Sequence, residues 1–150
     1  MRVHGAGRTD AGVHALAQCA HADINKALAR ARWIEALNAS LPPAVRVLRC
    51  QYVSDNFHAR FSAKGKVYRY RIWCAPVLPP FEYRRAWHIT RPLNFKSLKE
   101  GAKYFGGTHD FAGFAANRGK AEQTTIRTIY SVRVRQKGPC LTIEFDGDGF

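Results

Sequence analysis

Lys66-Val67-Tyr68-Arg69-Tyr70-Arg71-Ile72-Trp73-Cys74 decides the fold class, because it alternates with a period of two. Successive strand residues point to opposite faces, so Tyr68, Tyr70, Ile72 and Cys74 share one face and Arg69 and Arg71 the other. Downstream, Pro76, Pro79 and Pro80 mark residues 75–85 as a connection. Residues 94–105 predict a helix that buries Leu98, Ala102 and Phe105 and ends at Gly106-Gly107. Residues 108–123 are glycine- and alanine-rich and predict irregular structure. Residues 125–135 and 141–145 predict a hairpin about Gly138-Pro139.

Upstream of that strand, residues 55–63 read as a loop and residues 45–54 as a half-buried strand, with Arg46 and Arg49 among apolar neighbours. Residues 26–41 repeat apolar side chains at helical spacing, and Pro42-Pro43 stops them. Residues 13–24 predict a strand leaving a glycine loop. Strands that pair antiparallel with helices interposed give an α+β protein, a mixed but mainly antiparallel sheet with helices packed on it.

Composition bounds what such a fold does. The 150 residues suit at most one ordinary domain, and 46% hydrophobic residues suffice for a core. Twenty-four Lys and Arg against 11 Asp and Glu give a formal charge of +13, which points to a polyanion and so to nucleic acid. No helix pattern is basic enough for a membrane surface, and no apolar run approaches a transmembrane length of ~20 residues. Met1-Arg2-Val3-His4 leads straight into the glycine loop, with no signal-peptide pattern. Cys19, Cys50, Cys74 and Cys140 are scattered without a Cys-x-x-Cys pair, the pattern of buried reduced thiols in a cytosolic protein.

Gly5-Ala6-Gly7-Arg8-Thr9-Asp10-Ala11-Gly12-Val13-His14-Ala15 has little to pack, so it is not a core element. One cation, Arg8, and one carboxylate, Asp10, stand in it. An ionised Asp beside a cation serves as a nucleophile or base; the bland alternative is a surface turn with Asp10 as a capping residue. The dinucleotide fingerprint lacks its third glycine, and no Gly-Lys-Ser/Thr phosphate cradle exists. None of the six histidines sits in a His-x-x-x-His pair, so no metal site is expected. His109-Asp110 has the form of a base and its orienting carboxylate, and is read as structural.

Residues 6–15 resemble the signature of the tRNA pseudouridine synthase A family. Asp55-Asn56-Phe57-His58-Ala59-Arg60-Phe61-Ser62-Ala63, Lys66-Val67-Tyr68-Arg69-Tyr70 and Gly107-Thr108-His109-Asp110-Phe111 match the family's later blocks in order. The resemblance runs over nearly the whole chain. It implies a pseudouridine synthase fold, a tRNA substrate modified at uridines of the anticodon stem-loop, a homodimer, a cytoplasmic location and no cofactor.

By that resemblance Asp10 is the essential catalytic residue, and Tyr68 lines the active site against the target base. Tyr70 is assigned to the core. Arg8 has two readings, holding Asp10 ionised or gripping a flanking phosphate. Phe57, His58 and Arg60, an aromatic and basic cluster in a loop, and Arg69 are expected RNA contacts; Arg69, Arg71, Arg127, Arg133 and Arg135 are placed on polar faces of strands and together suggest an RNA-facing surface. Residues 1–150 then form a partial synthase domain, with a catalytic loop at 5–15, an RNA-facing and active-site region at 55–74, and a helix and hairpin at 94–150. Family chains begin with a strand ahead of the glycine loop and continue past the block that starts at Asp146, so these residues are expected to be part of a longer enzyme. The competing expectation is an RNA-binding module that does not catalyse.

Overall fold

The computed structural model describes residues 2–115 and 124–149. The second half of the predicted irregular stretch, 116–123, lies outside the described residues. The chain forms two compact units, Met1–Ala63 and Lys64–Phe150.

In the first unit, strands β1 (Val3–Gly5) and β2 (Ala20–Ala22) pair antiparallel, with His4 opposite His21. The expected long strand over 13–24 is therefore only three residues. Everything between the two strands loops out, because glycine, alanine and threonine there have nothing to bury. Helix α1 (Arg30–Ser40) starts four residues later than its periodicity predicts. The Tyr52 hydroxyl explains the delay: it accepts from the Leu28 N–H at 3.1 Å and donates to the Leu28 carbonyl at 2.7 Å. Both backbone groups of Leu28 are thereby withdrawn from a helix. The same hydroxyl accepts from Trp33 Nε1 at 3.2 Å, which ties the first turn of α1 to it. Leu41, immediately before Pro42, is extended at φ −85° and ψ 146°, as a pre-proline residue prefers.

The predicted strand over 45–54 does not form. Asn38 on α1 takes the place of a neighbouring strand there: its side-chain amide donates to the Val47 carbonyl at 2.9 Å, and its oxygen accepts from the Val47 N–H at 2.7 Å. A satisfied backbone needs no ladder. Residues 55–63 form the expected loop, and Ala59 within it is 3% exposed.

The second unit is a five-stranded sheet, β3 (Lys66–Cys74), β4 (Trp87–Ile89), β5 (Gly107–Asp110), β6 (Ile126–Lys137) and β7 (Cys140–Gly147), in the order β4-β3-β7-β6-β5. Only β3 and β4 run parallel, so the sheet is mixed and mainly antiparallel as expected. Strands β6 and β7 form the predicted hairpin, with Lys137 opposite Cys140 across the Gly138-Pro139 turn. Strands β4 and β5 are too short for a period to show in sequence. The connection from β3 to β4 holds a 3₁₀ turn, Pro80–Glu82, whose Glu82 accepts from Arg71 Nη2 at 2.7 and 2.8 Å.

Helix α2 (Phe95–Lys103) is capped by Asn94, whose side-chain oxygen accepts from the Ser97 N–H at 3.0 Å, and packs on β6. Its apolar stripe leads to Phe105, edge-on to Phe145 at 5.6 Å and to Phe114 at 5.7 Å. Ile72, Leu141, Ile129 and Ala102 are the buried hydrophobics of this unit.

A bulge interrupts β6: Ile129 faces Gly147 and Ser131 faces Asp146, which leaves Tyr130 as the extra residue. Gly147 is fixed by close approach, since a Cβ there would lie 2.8 Å from the Thr128 carbonyl oxygen. The four cysteines are free, as expected, but none is buried: Cys19 is exposed and the others half-buried. Among the described residues no helix is long and apolar enough to cross a membrane.

Candidate functional site

Three residue pairs between β1 and β2 and one further backbone bond, Ala6 N–H to the Cys19 carbonyl at 2.8 Å, close the root of the Asp10 loop. Inside the loop, Gln18 Nε2 donates to the Gly7 carbonyl at 3.0 Å and acts as a strut. The Val13 N–H returns to the Asp10 carbonyl at 3.0 Å, and Gly12 has φ +84°. This is a type II turn with glycine at its third position, where a side chain would be strained. No atom stands within 4 Å of a Cβ built on Gly12, so it is the backbone angle and not crowding that calls for glycine.

Asp10 is the first residue of that turn, and its side chain is exposed. Among the described residues neither Asp10 nor Arg8 belongs to an ion pair, so the two do not neutralise each other. The loop presents a carboxylate and a guanidinium, neither in an ion pair among the described residues, on a frame of small residues. Such a carboxylate has its lone pairs available to an incoming electrophilic carbon or acidic proton.

Phe57 and His58, expected RNA contacts, are half-buried and their rings meet the histidines of the β1–β2 pair. The His58 ring lies 4.6 Å from His21 and 5.6 Å from His4, and Phe57 meets His21 edge-on at 6.0 Å. Arg60 remains exposed, with its guanidinium 6.0 Å from the Phe61 ring. His58 has a pKa below its ordinary 6.5, chiefly because burial disfavours its charged form, and further because His21, His4 and Arg60 repel a proton there.

In the second unit Tyr68 lies on β3 opposite Phe145, which in turn faces Val132 on β6. Tyr68 is 38% exposed, but Tyr70, assigned to the core, is more exposed at 58%. Tyr70 sits near one edge of the sheet, where the Phe145 ring meets it edge-on at 6.1 Å. The core reading of Tyr70 is therefore corrected.

The opposite sheet face holds the arginines, and carboxylates hold most of them. Glu144 accepts from Arg69 Nε and Nη2 at 2.9 and 2.6 Å and from Arg133 at 3.3 Å. Its pKa is lowered first by the hydrogen bond from Arg69, then by the charges of Arg69, Arg133 and Arg135. A depression of about 210 Å³ there is lined by Arg69, Arg133, Arg135, Thr142 and Glu144. Arg135 alone of these arginines has no carboxylate partner among the described residues. The bulge at Tyr130 puts Arg127 on the other face, where it donates to the Thr124 and Ile126 carbonyls at 2.7 Å. Arg69, Arg71, Arg133 and Arg135 therefore share one face of the sheet and Arg127 lies on the other.

His109 and Asp110 hold backbone, in line with the structural reading. His109 Nε2 bonds the Gly106 carbonyl at 2.8 Å, and Asp110 accepts from the Ala112 N–H at 2.9 Å and from the Thr125 hydroxyl. The Thr125 bond is the main reason that the Asp110 pKa is lowered. Sequence reasoning missed Gln18, Tyr52 and the pairing of His4 with His21, since each depends on a contact between distant segments. The cross-strand histidines would have shown had the residues before Gly5 been read as a strand.

Comparison with known proteins agrees with this architecture. A family profile described as tRNA pseudouridine synthase matches residues 102–150. A tRNA pseudouridine synthase A of Akkermansia muciniphila is 46% identical over 156 residues, which covers 99% of this chain and 59% of that protein. That of Oleidesulfovibrio alaskensis is 51% identical over 134 residues, 88% of this chain and 47% of its own. That of Geobacillus kaustophilus is 41% identical over 151 residues, 100% of this chain and 58% of its own. Over nearly its whole length the chain is similar to members of the tRNA pseudouridine synthase A family, and it spans about half to three-fifths of the length of the curated relatives it matches.

Proposed function

We propose that this chain supplies the catalytic carboxylate and a base-facing tyrosine for isomerising uridine to pseudouridine in the anticodon stem-loop of tRNA. The observation that carries this is the exposed Asp10 at the head of a glycine turn, in no ion pair among the described residues, in a chain similar to proteins named for the reaction. In the reaction the bond from ribose C1′ to N1 of uracil breaks, the base turns, and a bond from C1′ to C5 forms. The C5 proton is lost and N1 gains one, so substrate and product have the same composition and no redox partner or energy source enters.

An ionised Asp10 has the charge to stabilise or trap the electron-poor C1′, as carboxylates do in retaining glycoside hydrolysis, or to remove a ribose proton. Tyr68 offers a flat ring for a flipped uracil and a hydroxyl for proton transfer. The cations Arg8, Arg60 and Arg135 suit phosphate contact, within a chain of formal charge +13. A homodimer enters by family resemblance.

The test is incubation of the 150-residue chain with a tRNA transcript, followed by mapping of pseudouridine, beside a salt titration of binding. New pseudouridine in the anticodon stem-loop supports the reading, and binding should weaken steeply as salt rises. A second reading, RNA binding without isomerisation, rests on the formal charge of +13 alone. It predicts the same salt dependence with no pseudouridine.

A further inference from the structure

Three histidines meet beneath the Asp10 loop, one from each of three segments. His4 on β1 and His21 on β2 are cross-strand partners with rings stacked at 5.0 Å. His58, from the loop after Ser54, sets its ring against both. Hydrogen bonds fix the protonation of two of them. His21 Nδ1 accepts from the Ala59 N–H at 3.2 Å, and Ala59 is 3% exposed, so that N–H has no water to turn to. His58 Nδ1 accepts from the Arg60 and Phe61 N–H groups at 3.2 and 3.3 Å. An acceptor nitrogen is an unprotonated one, and a proton on either would set N–H against N–H.

We infer that His21 and His58, each accepting through Nδ1 and packed with His4, dock the 57–61 loop onto the β1–β2 pair that carries the Asp10 loop, and that proton uptake at those nitrogens releases it. Two effects act together. Protonation removes the acceptor for the buried Ala59 N–H, and it places like charges with ring centres 4.6 to 5.6 Å apart. The charged groups acting on His58 are His21 and His4 from the two strands and Arg60 from its own loop, and none is a carboxylate that would hold an imidazolium in place. Docking keeps a buried residue against the root of the Asp10 loop, so His21 is a positioning residue. That last link rests on the reading of Asp10 given above; the docking itself does not.

Amide hydrogen exchange of Ala59, read by NMR on the 150-residue chain from about pH 8 to about pH 5, tests the docking. After correction for intrinsic exchange, protection of Ala59 is expected to fall about tenfold as the trio takes up protons. In His21→Asn the amide oxygen stands where Nδ1 accepted and does not titrate, so protection should persist to low pH. In His4→Phe a ring remains in the stack without its charge, and the His58 ring should titrate closer to its ordinary value. Protection that ignores pH in the parent chain, or falls equally in His21→Asn, overturns the inference. An unchanged His58 titration in His4→Phe also overturns it. None of these readouts uses isomerisation, so a failure of the proposed function leaves the test standing.

Discussion

Arg69 and Glu144 face each other across β3 and β7, and two guanidinium N–H groups of Arg69 converge on one oxygen of Glu144 at 2.9 and 2.6 Å. The other oxygen meets Arg133, so one carboxylate on β7 separates cations on the two strands that flank it. The pairs are partly exposed, and screening keeps their worth modest. Glu144→Gln should cost about 1 kcal/mol at neutral pH, from lost pairing and from the repulsion left behind. Because folding lowers the Glu144 pKa, its contribution is present above the ordinary 4.5 and is lost as pH falls through the folded value. Urea melts at several acid pH values should show a shallower loss of stability in the Gln variant than in the parent.

Asp10→Asn should abolish isomerisation, by about 10³-fold or more, while tRNA affinity holds or rises slightly. The substitution keeps shape and removes the charge, and a polyanion gains from losing a carboxylate nearby. Pseudouridine mapping and a binding titration on the same preparation read the two effects apart. Turnover near the parent rate would remove Asp10 from the catalytic role.

Tyr68 separates stacking from proton transfer. Its position opposite Phe145 leaves the ring 38% exposed, so truncation should not collapse the sheet. If the ring alone acts, Tyr68→Phe keeps activity and Tyr68→Ala loses about tenfold or more. If the hydroxyl carries a proton, both variants fall, by about 10²-fold or more. Single-turnover rates on tRNA distinguish the cases, and full activity in the Ala variant would make Tyr68 structural.

Gly147→Ala tests the close approach beside the bulge. The new methyl would lie 2.8 Å from the Thr128 carbonyl oxygen and 3.0 Å from Ile129 Cδ1, and the first is backbone that moves only with the ladder. A loss of about 1–3 kcal/mol is expected. Thermal melts check it, and an unchanged midpoint would mean that β6 shifts freely.

The legible parts of this chain were those whose signal is local. Strand β3 was readable because its faces differ so sharply, and the β6–β7 hairpin because Gly138-Pro139 sits between two alternating runs. The Asp10 loop was readable from composition, since nothing in it packs. Residues 45–54 misled because alternation describes what a strand would bury and says nothing of who supplies its hydrogen bonds; here Asn38 does. The late start of α1 has the same origin, in a Tyr52 hydroxyl 24 residues away from Leu28. The site divides likewise. Asp10 and its turn were visible in sequence, but the engagement of Phe57 and His58 by the hairpin depends on His4 and His21 being cross-strand neighbours.

The extra residue at Tyr130 makes strand length a parity condition. Upstream of it, Ile129 and Arg127 share a face with Gly147; downstream, Ser131, Arg133 and Arg135 share the other with Asp146 and Glu144. Removing one residue here would invert every side chain on one side of the deletion, sending buried Ile129 to the arginine face or Arg133 and Arg135 towards α2. Substituting Tyr130 costs only what its own side chain contributes. Evolution can therefore vary which residue stands at this place far more freely than it can vary whether one does.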